Sequence, residues 1–289
     1  MPTIIDGRKV SKDIKSEIKA RVDEIKAAGK RAPHLAIIIV GDDGASHTYV
    51  NGKINACKEV GFDYTLLQFA STISEAKLLK HISQLNSDED IDGFIVQIPL
   101  PDHISVEHVI ENIAPKKDVD GFTNQNFGSI ISTHHLLLPA TPFGIMELIK
   151  RYEIETQGKE CVVVGASRIV GAPLSLMMLQ DGMATVTVCH EHTQDLAKHT
   201  CEADILIVAV GKPGLITKDM VKEGAVVIDV GTTRVEDASK KSGFRLSGDV
   251  DYENVAPSAS YITPVPGGVG PMTIASLLLN TLKAYEVGA

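Results

Sequence analysis

Ser46, Tyr49 and Lys53 stand at i, i+3 and i+7 of a segment with helical periodicity, which places all three on one helix face. A phenol and an amine one turn apart can share a hydrogen bond. An amine held against apolar surface gives up its proton more readily and can act as a base or proton shuttle. A solvated lysine on an amphipathic helix has the same spacing, so the triplet is a candidate only. Gln97 lies in the apolar run Phe94–Ile98, where a carboxamide must be satisfied by the fold or meet a ligand. Lys117-Asp118-Val119-Asp120-Gly121 sets two carboxylates in a turn-like stretch. Turn capping accounts for one of them and leaves the other to be explained. Near the C-terminus, Pro264, Pro266 and Pro271 alternate with Gly267, Gly268 and Gly270 just before a helical segment. Such a stiff backbone, open to close approach, commonly lines a site.

A second kind of chemistry is written after the strand-like run Val162–Val164. Gly165-Ala166-Ser167-Arg168-Ile169-Val170-Gly171 has the strand, glycine turn and helix start that let backbone N–H groups approach a pyrophosphate. The pattern is G-x-S-x-x-x-G and not G-x-G-x-x-G, so alone it is also compatible with a plain turn. Gly211 and the pair Gly231-Thr232 each follow a further buried strand, and three such turns in one domain point to a bound nucleotide. Cys189, His190, Glu191, His192, His199 and Cys201 lack the paired spacing of metal ligands, and no metal is expected. His134-His135 reads as a polar loop pair.

The elements that must hold these residues alternate from the start. Val10, Ile14, Ile18, Val22 and Ile25 mark a helix ending at Gly29, and Leu35–Val40 is a strand covered on both faces. A helix from about Ser46 to Val60, a strand at Tyr64–Phe69, a helix at Ser74–Leu85 and a strand at Gly93–Ile98 follow. Beyond Pro139 a second series begins: helix Phe143–Arg151, strand Glu160–Val164, a helix over about 171–180, and strands at Thr185–Cys189, Ile205–Val210 and Val226–Val230. Glu236–Leu246 reads as an exposed excursion, and Pro271–Tyr285 as the last helix. The fold class is therefore α/β with two domains, an N-terminal βαβ domain over 1–139 and a Rossmann-like doubly wound domain over 140–270.

Composition agrees. The 289 residues are 44% hydrophobic, enough for two cores, and a net charge of −9 disfavours nucleic acid or an anionic membrane as partner. The apolar runs fall short of the ~20 residues of a membrane span. The first residues lack the order of a signal peptide, and four cysteines without a CxxC pair fit a reducing compartment, so a cytoplasmic location is expected.

Taken together, Ser46-x-x-Tyr49-x-x-x-Lys53, Val96-Gln97-Ile98-Pro99-Leu100-Pro101, Lys117-Asp118-Val119-Asp120-Gly121, the Gly165–Gly171 turn and Pro264-Val265-Pro266-Gly267-Gly268-Val269-Gly270-Pro271 resemble the bifunctional methylenetetrahydrofolate dehydrogenase/methenyltetrahydrofolate cyclohydrolase family, from about Asp6 to Leu282. The resemblance implies an enzyme of one-carbon folate metabolism that oxidises 5,10-methylenetetrahydrofolate with NADP and hydrolyses the methenyl product to 10-formyltetrahydrofolate. It implies Lys53 as the proton-transfer residue, helped by Tyr49 and Gln97. Asp120 would hold the pterin donors, and Pro266, Gly267 and Gly268 would line the folate. Gly165, Ala166, Ser167, Ile169, Glu191, Gly211 and Thr232 would line the cofactor. It further implies a cleft between the domains, a C-terminal helix over 271–289 that packs back onto the first domain, and a homodimer formed through the second. Two positions depart from the NADP pattern: where such members carry Arg or Ser, this chain has Ala166 and the acid Glu191, which implies weak NADP preference or NAD use. Rival readings are a shikimate-dehydrogenase-like oxidoreductase of a small acid, which gives the proline–glycine loop no purpose, and a nucleotide-binding regulator, which needs no Tyr49, Lys53 and Gln97.

Overall fold

The chain opens on a two-residue strand, β1 (Thr3–Ile4), and a long helix, α1 (Gly7–Ala27), in the computed structural model, which describes residues 1–132, 135–240 and 243–288. There follow β2 (His34–Val40), α2 (Gly44–Val60), β3 (Asp63–Phe69), α3 (Glu75–Ser87), β4 (Gly93–Val96) and two short helices, α4 (Val106–Glu111) and α5 (Asn124–Ser129). The second series comprises α6 (Ala140–Arg151), β5 (Glu160–Val164), α7 (Gly171–Gln180), β6 (Thr185–Cys189), α8 (Leu196–Thr200), β7 (Ile205–Val208) and β8 (Val226–Asp229). It closes with β9 (Thr233–Glu236), β10 (Phe244–Ser247), α9 (Tyr252–Val255), β11 (Tyr261–Ile262) and α10 (Val269–Gly288).

These elements divide into two compact units, Lys12–Ala140 with Ile274–Ala289, and Met1–Ser11 with Thr141–Thr273. The first eleven residues therefore group with the second series and not with the first, where their sequence position puts them. The reason is β1, which pairs in parallel with β11, Thr3 beside Tyr261 and Ile4 beside Ile262.

In the unit of Lys12–Ala140, three parallel strands run in the order β3-β2-β4. β2 is central, and six of its seven residues are buried, as a strand covered on both faces requires. Ala36, Ile38, Val40, Phe94 and Val96 pack on Leu78, Ile82 and Leu85 of α3, whose i, i+4, i+7 spacing makes one apolar stripe. Each of these side chains larger than alanine contributes roughly 1.5–3 kcal/mol when removed from water. β4 ends at Val96 and not at Ile98, because the ladder gives out once Pro99 supplies no N–H.

In the other unit six parallel strands take the order β1-β11-β8-β7-β5-β6. The chain runs from β5 outward to β6 and then back across to β7, so the reversal of direction lies at β5. In a doubly wound sheet, ligands sit at the carboxyl ends beside such a reversal. The stretch over Glu236–Leu246 is part of an antiparallel hairpin, β9 with β10, in which Glu236 faces Phe244. Lys241 and Ser242 lie outside the described residues, as does His134. Among the described residues no helix is long and apolar enough to cross a membrane.

Candidate active site

The carboxyl edge of the three-stranded sheet carries the first cluster. α2 begins where Asp43 accepts from the Ser46 backbone N–H at 2.7 Å and from the Ser46 hydroxyl at 2.8 Å. Ser46 is thereby spent on the helix cap, so the chemistry of this face is left to Tyr49 and Lys53. The side chain that meets Lys53 is Gln97: the Lys53 amine donates to Gln97 Oε1 at 3.1 Å. No Tyr49–Lys53 hydrogen bond is found among the described residues. Tyr49 instead stands 56% exposed, with its ring open to a ligand. Gln97 is fixed at both ends, since its backbone N–H donates to Ile38 O at 2.8 Å and its Nε2 to Ile98 O at 2.7 Å.

The Lys117–Gly121 string separates into structural and free groups. Lys117 is buried and donates to the carbonyls of Leu85 and Asp88 at the end of α3, and burial holds its amine below the usual lysine range. Asp118 is buried as well, accepting from Gly121 N at 3.0 Å, Thr123 N at 2.7 Å and Asn126 Nδ2 at 2.9 Å. Asp120 is different. Its backbone carbonyl accepts from Ala140 N at 3.1 Å, while its carboxylate has no hydrogen bond among the described residues. Burial pushes this carboxyl above the usual carboxylate range; nearby Lys53 pulls it down and Asp118 raises it further. A half-buried acceptor without a donor is an unfinished interaction of the kind a substrate completes. The segment is braced by Asn280 of α10, whose Nδ2 donates to Val119 O at 2.9 Å and Leu138 O at 2.7 Å. Nothing in the sequence marked Asn280, because its partners lie far away along the chain. A recess of about 940 Å³ beside Arg31, Asp92 and Tyr285 lies at the amino edge of the sheet, away from Lys53.

The other unit gathers the nucleotide candidates along one edge. Gly165 N donates to Cys189 O and Ala209 N to Val164 O, both at 2.8 Å, so the turns after β5, β6 and β7 leave the sheet together. Gly165 has φ 112°, and a Cβ there would lie 2.2 Å from Ala209 O, so only glycine closes this turn. Ala166, Ser167 and Ile169 are exposed just ahead of α7, and Ser167 Oγ accepts from Val170 N at 3.2 Å. Gly211 and Thr232 are exposed on the same edge. This open backbone at the start of a ten-residue helix fits a dinucleotide. Glu191 lies two residues beyond the end of β6, its side chain 86% exposed and 3.6 Å from His192 Nε2. Pro266, Gly267 and Gly268 also belong to this unit. Gly267 O accepts from Arg8 N at 3.1 Å and Gly268 N donates to Pro264 O at 2.8 Å, which ties the loop to the first turn of α1. The bonds Ile98–Pro99 and Val265–Pro266 are cis.

Residues 5–120 match the catalytic domain of tetrahydrofolate dehydrogenase/cyclohydrolase, and residues 139–289 match the NAD(P)-binding domain of the same family. The curated bifunctional protein FolD of Cytophaga hutchinsonii is 56% identical over 97% of this chain and 98% of its own length. The crystal structure of the bifunctional FolD enzyme of Campylobacter jejuni superposes with a TM-score of 0.94 at 46% identity, covering 99% of both chains. The Trypanosoma brucei methylenetetrahydrofolate dehydrogenase-cyclohydrolase, solved with NADP and an inhibitor, gives 0.94 at 37% identity over 99% of this chain and 98% of that one. These matches span both units and leave the small-acid oxidoreductase and the regulator without support. The chain belongs to the tetrahydrofolate dehydrogenase/cyclohydrolase family.

Proposed function

We propose that the chain oxidises 5,10-methylenetetrahydrofolate to the 5,10-methenyl cation with NADP and hydrolyses that cation to 10-formyltetrahydrofolate, with Lys53, Gln97 and Asp120 serving the folate. The observation that carries the assignment of residues is the Lys53–Gln97 contact of 3.1 Å in the same unit as the unpaired Asp120 carboxylate. When bound, NADP would supply a hydride acceptor, its nicotinamide ring, for the methylene carbon. The chain's part in that step is positioning. Asp120 accepts the pterin's N–H donors in a charge-assisted pair, and the Tyr49 ring lies against the folate. Pro266, Gly267 and Gly268 supply a fixed backbone wall, while Gly165, Ala166, Ser167, Ile169, Gly211 and Thr232 line the nucleotide.

In the hydrolysis, water adds through oxygen to the methenyl carbon, and the Lys53 amine takes one of its protons. The bond from that carbon to N5 then breaks with its electrons left on N5, Lys53 returns its proton there, and the second water proton leaves for solvent. Gln97 Oε1 aims the amine. A flipped carboxamide would set two donors face to face and lose the bond to Ile98 O.

The protein is proposed to be a homodimer through the unit of Thr141–Thr273. β6 is an edge strand; its Val188 is 40% exposed, and Leu179 and Met183, which precede it, are 49% and 62% exposed, the kind of edge an isologous contact covers. A cytoplasmic location is supported by four free cysteines, three of them buried. The test of the activity is optical. Methylenetetrahydrofolate with NADP should give NADPH and a methenyl chromophore that then decays by hydrolysis. Silence with both NADP and NAD overturns the reading.

A further inference from the structure

Behind the turns that follow β7 and β8 lie two carboxylates, Asp229 and Asp249, only 3% and 0% exposed. Asp249 Oδ2 accepts from Val210 N at 2.7 Å and Gly211 N at 2.9 Å. Asp229 Oδ1 accepts from Gly231 N at 2.9 Å and Asp249 N at 3.0 Å, and its Oδ2 accepts from Val250 N at 2.9 Å. Asp229 thus holds the backbone of Asp249 and the turn before Thr232, while Asp249 holds the turn around Gly211. The fit is close: a Cβ on Gly248 would lie 1.9 Å from Asp229 Oδ2, and one on Gly231 would lie 2.3 Å from Asp249 Oδ1. Thr263 completes the frame, its hydroxyl accepting from Asp229 N at 2.7 Å.

The arrangement carries a cost that plain turn closure does not require. Asp249 Oδ1 is buried and has no hydrogen-bond partner among the described residues. Burial, with Asp249 adding to it, pushes the Asp229 carboxyl up to about 6 against the N–H groups that favour its charge. Two buried carboxylates stand where two hydroxyls or amides could close ordinary turns. The five N–H groups they collect come from the stretches that end at Gly211, Gly231 and Val250. The first two of these turns face the edge where the nucleotide is placed.

We propose that Asp249, held by Asp229, is a positioning residue for the nicotinamide nucleotide, fixing the Val210–Gly211 and Gly231–Thr232 turns in the form that the nucleotide binds. Neither carboxylate touches the nucleotide; each acts through the backbone it orders. The proposal rests on the reading that these turns line the cofactor. Asp249→Ala leaves the Val210 and Gly211 N–H groups unpaired, and Asp249→Asn keeps an oxygen to accept them.

The experiment compares the two activities of the intact protein, with the hydrolysis of methenyltetrahydrofolate followed without nucleotide. Asp249→Ala should raise the KM for NADP by about tenfold or more with a smaller fall in kcat, leave the hydrolysis within about twofold, and be largely rescued by Asp249→Asn. An unchanged KM for NADP overturns the proposal, as does an equal loss of both activities, or an Asp249→Asn variant as impaired as Asp249→Ala. Should Asp249→Ala fail to fold, Asp249→Asn and Asp229→Asn decide. Asp229→Asn must raise the KM for NADP more than Asp249→Asn does, because Asp229 accepts at both oxygens and its amide would turn an NH2 group toward at least one N–H, whereas Asp249 accepts at Oδ2 alone; equal values for both variants and wild type overturn the proposal. A wild type inactive with both NADP and NAD would instead strike the functional reading itself.

Discussion

The Lys53 amine meets the Gln97 carboxamide oxygen at 3.1 Å, and Gln97 is itself anchored through Nε2 to the Ile98 carbonyl at 2.7 Å. The amine is therefore aimed by a side chain that cannot turn without losing a bond. Lys53→Met should cut the kcat of methenyltetrahydrofolate hydrolysis by ~10²–10⁴, the usual range for loss of a general acid–base group. Hydride transfer, which depends on positioning, should fall less. Equal, small losses in both activities would remove Lys53 from the proton path.

Asp120 gives a prediction in pH. Its carboxyl is raised by burial, yet only the ionised form can accept pterin N–H donors at both oxygens. Below the raised pKa a proton must leave before folate binds, so affinity for a folate analogue should climb about tenfold per pH unit and level off above it. Asp120→Asn should bind weakly and without that slope, and Asp120→Ala should lose on the order of 2–5 kcal/mol of folate affinity with nucleotide binding unchanged. Calorimetry across pH decides the matter, and a flat wild-type profile would make Asp120 a turn residue only.

Asn280 is a structural counterpart to that carboxylate. Its side chain is 1% exposed and spans the carbonyls of Val119 and Leu138, on either side of Asp120. Asn280→Leu should leave two carbonyls short of a donor and cost about 2–4 kcal/mol in denaturant unfolding. The KM for folate should rise with it, because Val119 adjoins Asp120. A variant as stable as wild type would show that water replaces the amide.

How far the sequence foretells this arrangement depends on the range of each interaction. The apolar runs of β2 and β5 and the stripe of α1 are local signals, and the elements lie within a few residues of where those signals put them. β7 and β8 stop at Val208 and Asp229, short of Val210 and Val230. Ala209 N and Val230 N still donate to the neighbouring strands, but the N–H groups beyond them, of Val210, Gly211 and Gly231, are captured by the Asp249 and Asp229 side chains. Ser46 shares a helix face with Tyr49 and Lys53 by spacing alone, and only the structure shows its hydroxyl turned onto Asp43. Asn280 and Val119 are 161 residues apart, and Asp249 and Gly211 are 38 apart. No pattern of a single chain carries pairings of that kind. The Lys117–Gly121 string was legible as a turn, but its division into two structural groups and one free carboxylate was not.

The proposed cofactor preference turns on Glu191. It follows β6 by two residues, next to the strand whose turn carries Gly165, where an acidic side chain reaches the ribose 2′-hydroxyl of NAD. A carboxylate there would oppose the 2′-phosphate of NADP by ~1–4 kcal/mol before screening. Ala166 offers no cation in compensation. The His192 ring, 3.6 Å from Glu191, adds positive charge only when protonated. The exposure of Glu191 gives it a second course, pointing into solvent away from the ribose. The expectation is a weak preference for NADP over NAD, extending to NAD use, and Glu191→Arg should raise the ratio of kcat/KM for NADP to that for NAD by at least about tenfold, equivalent to ~1.4 kcal/mol. The assay is initial rates with each nucleotide at saturating methylenetetrahydrofolate. A wild type that strongly prefers NADP, with a ratio unmoved by the substitution, would place Glu191 in solvent and leave the discrimination to other residues of the turn.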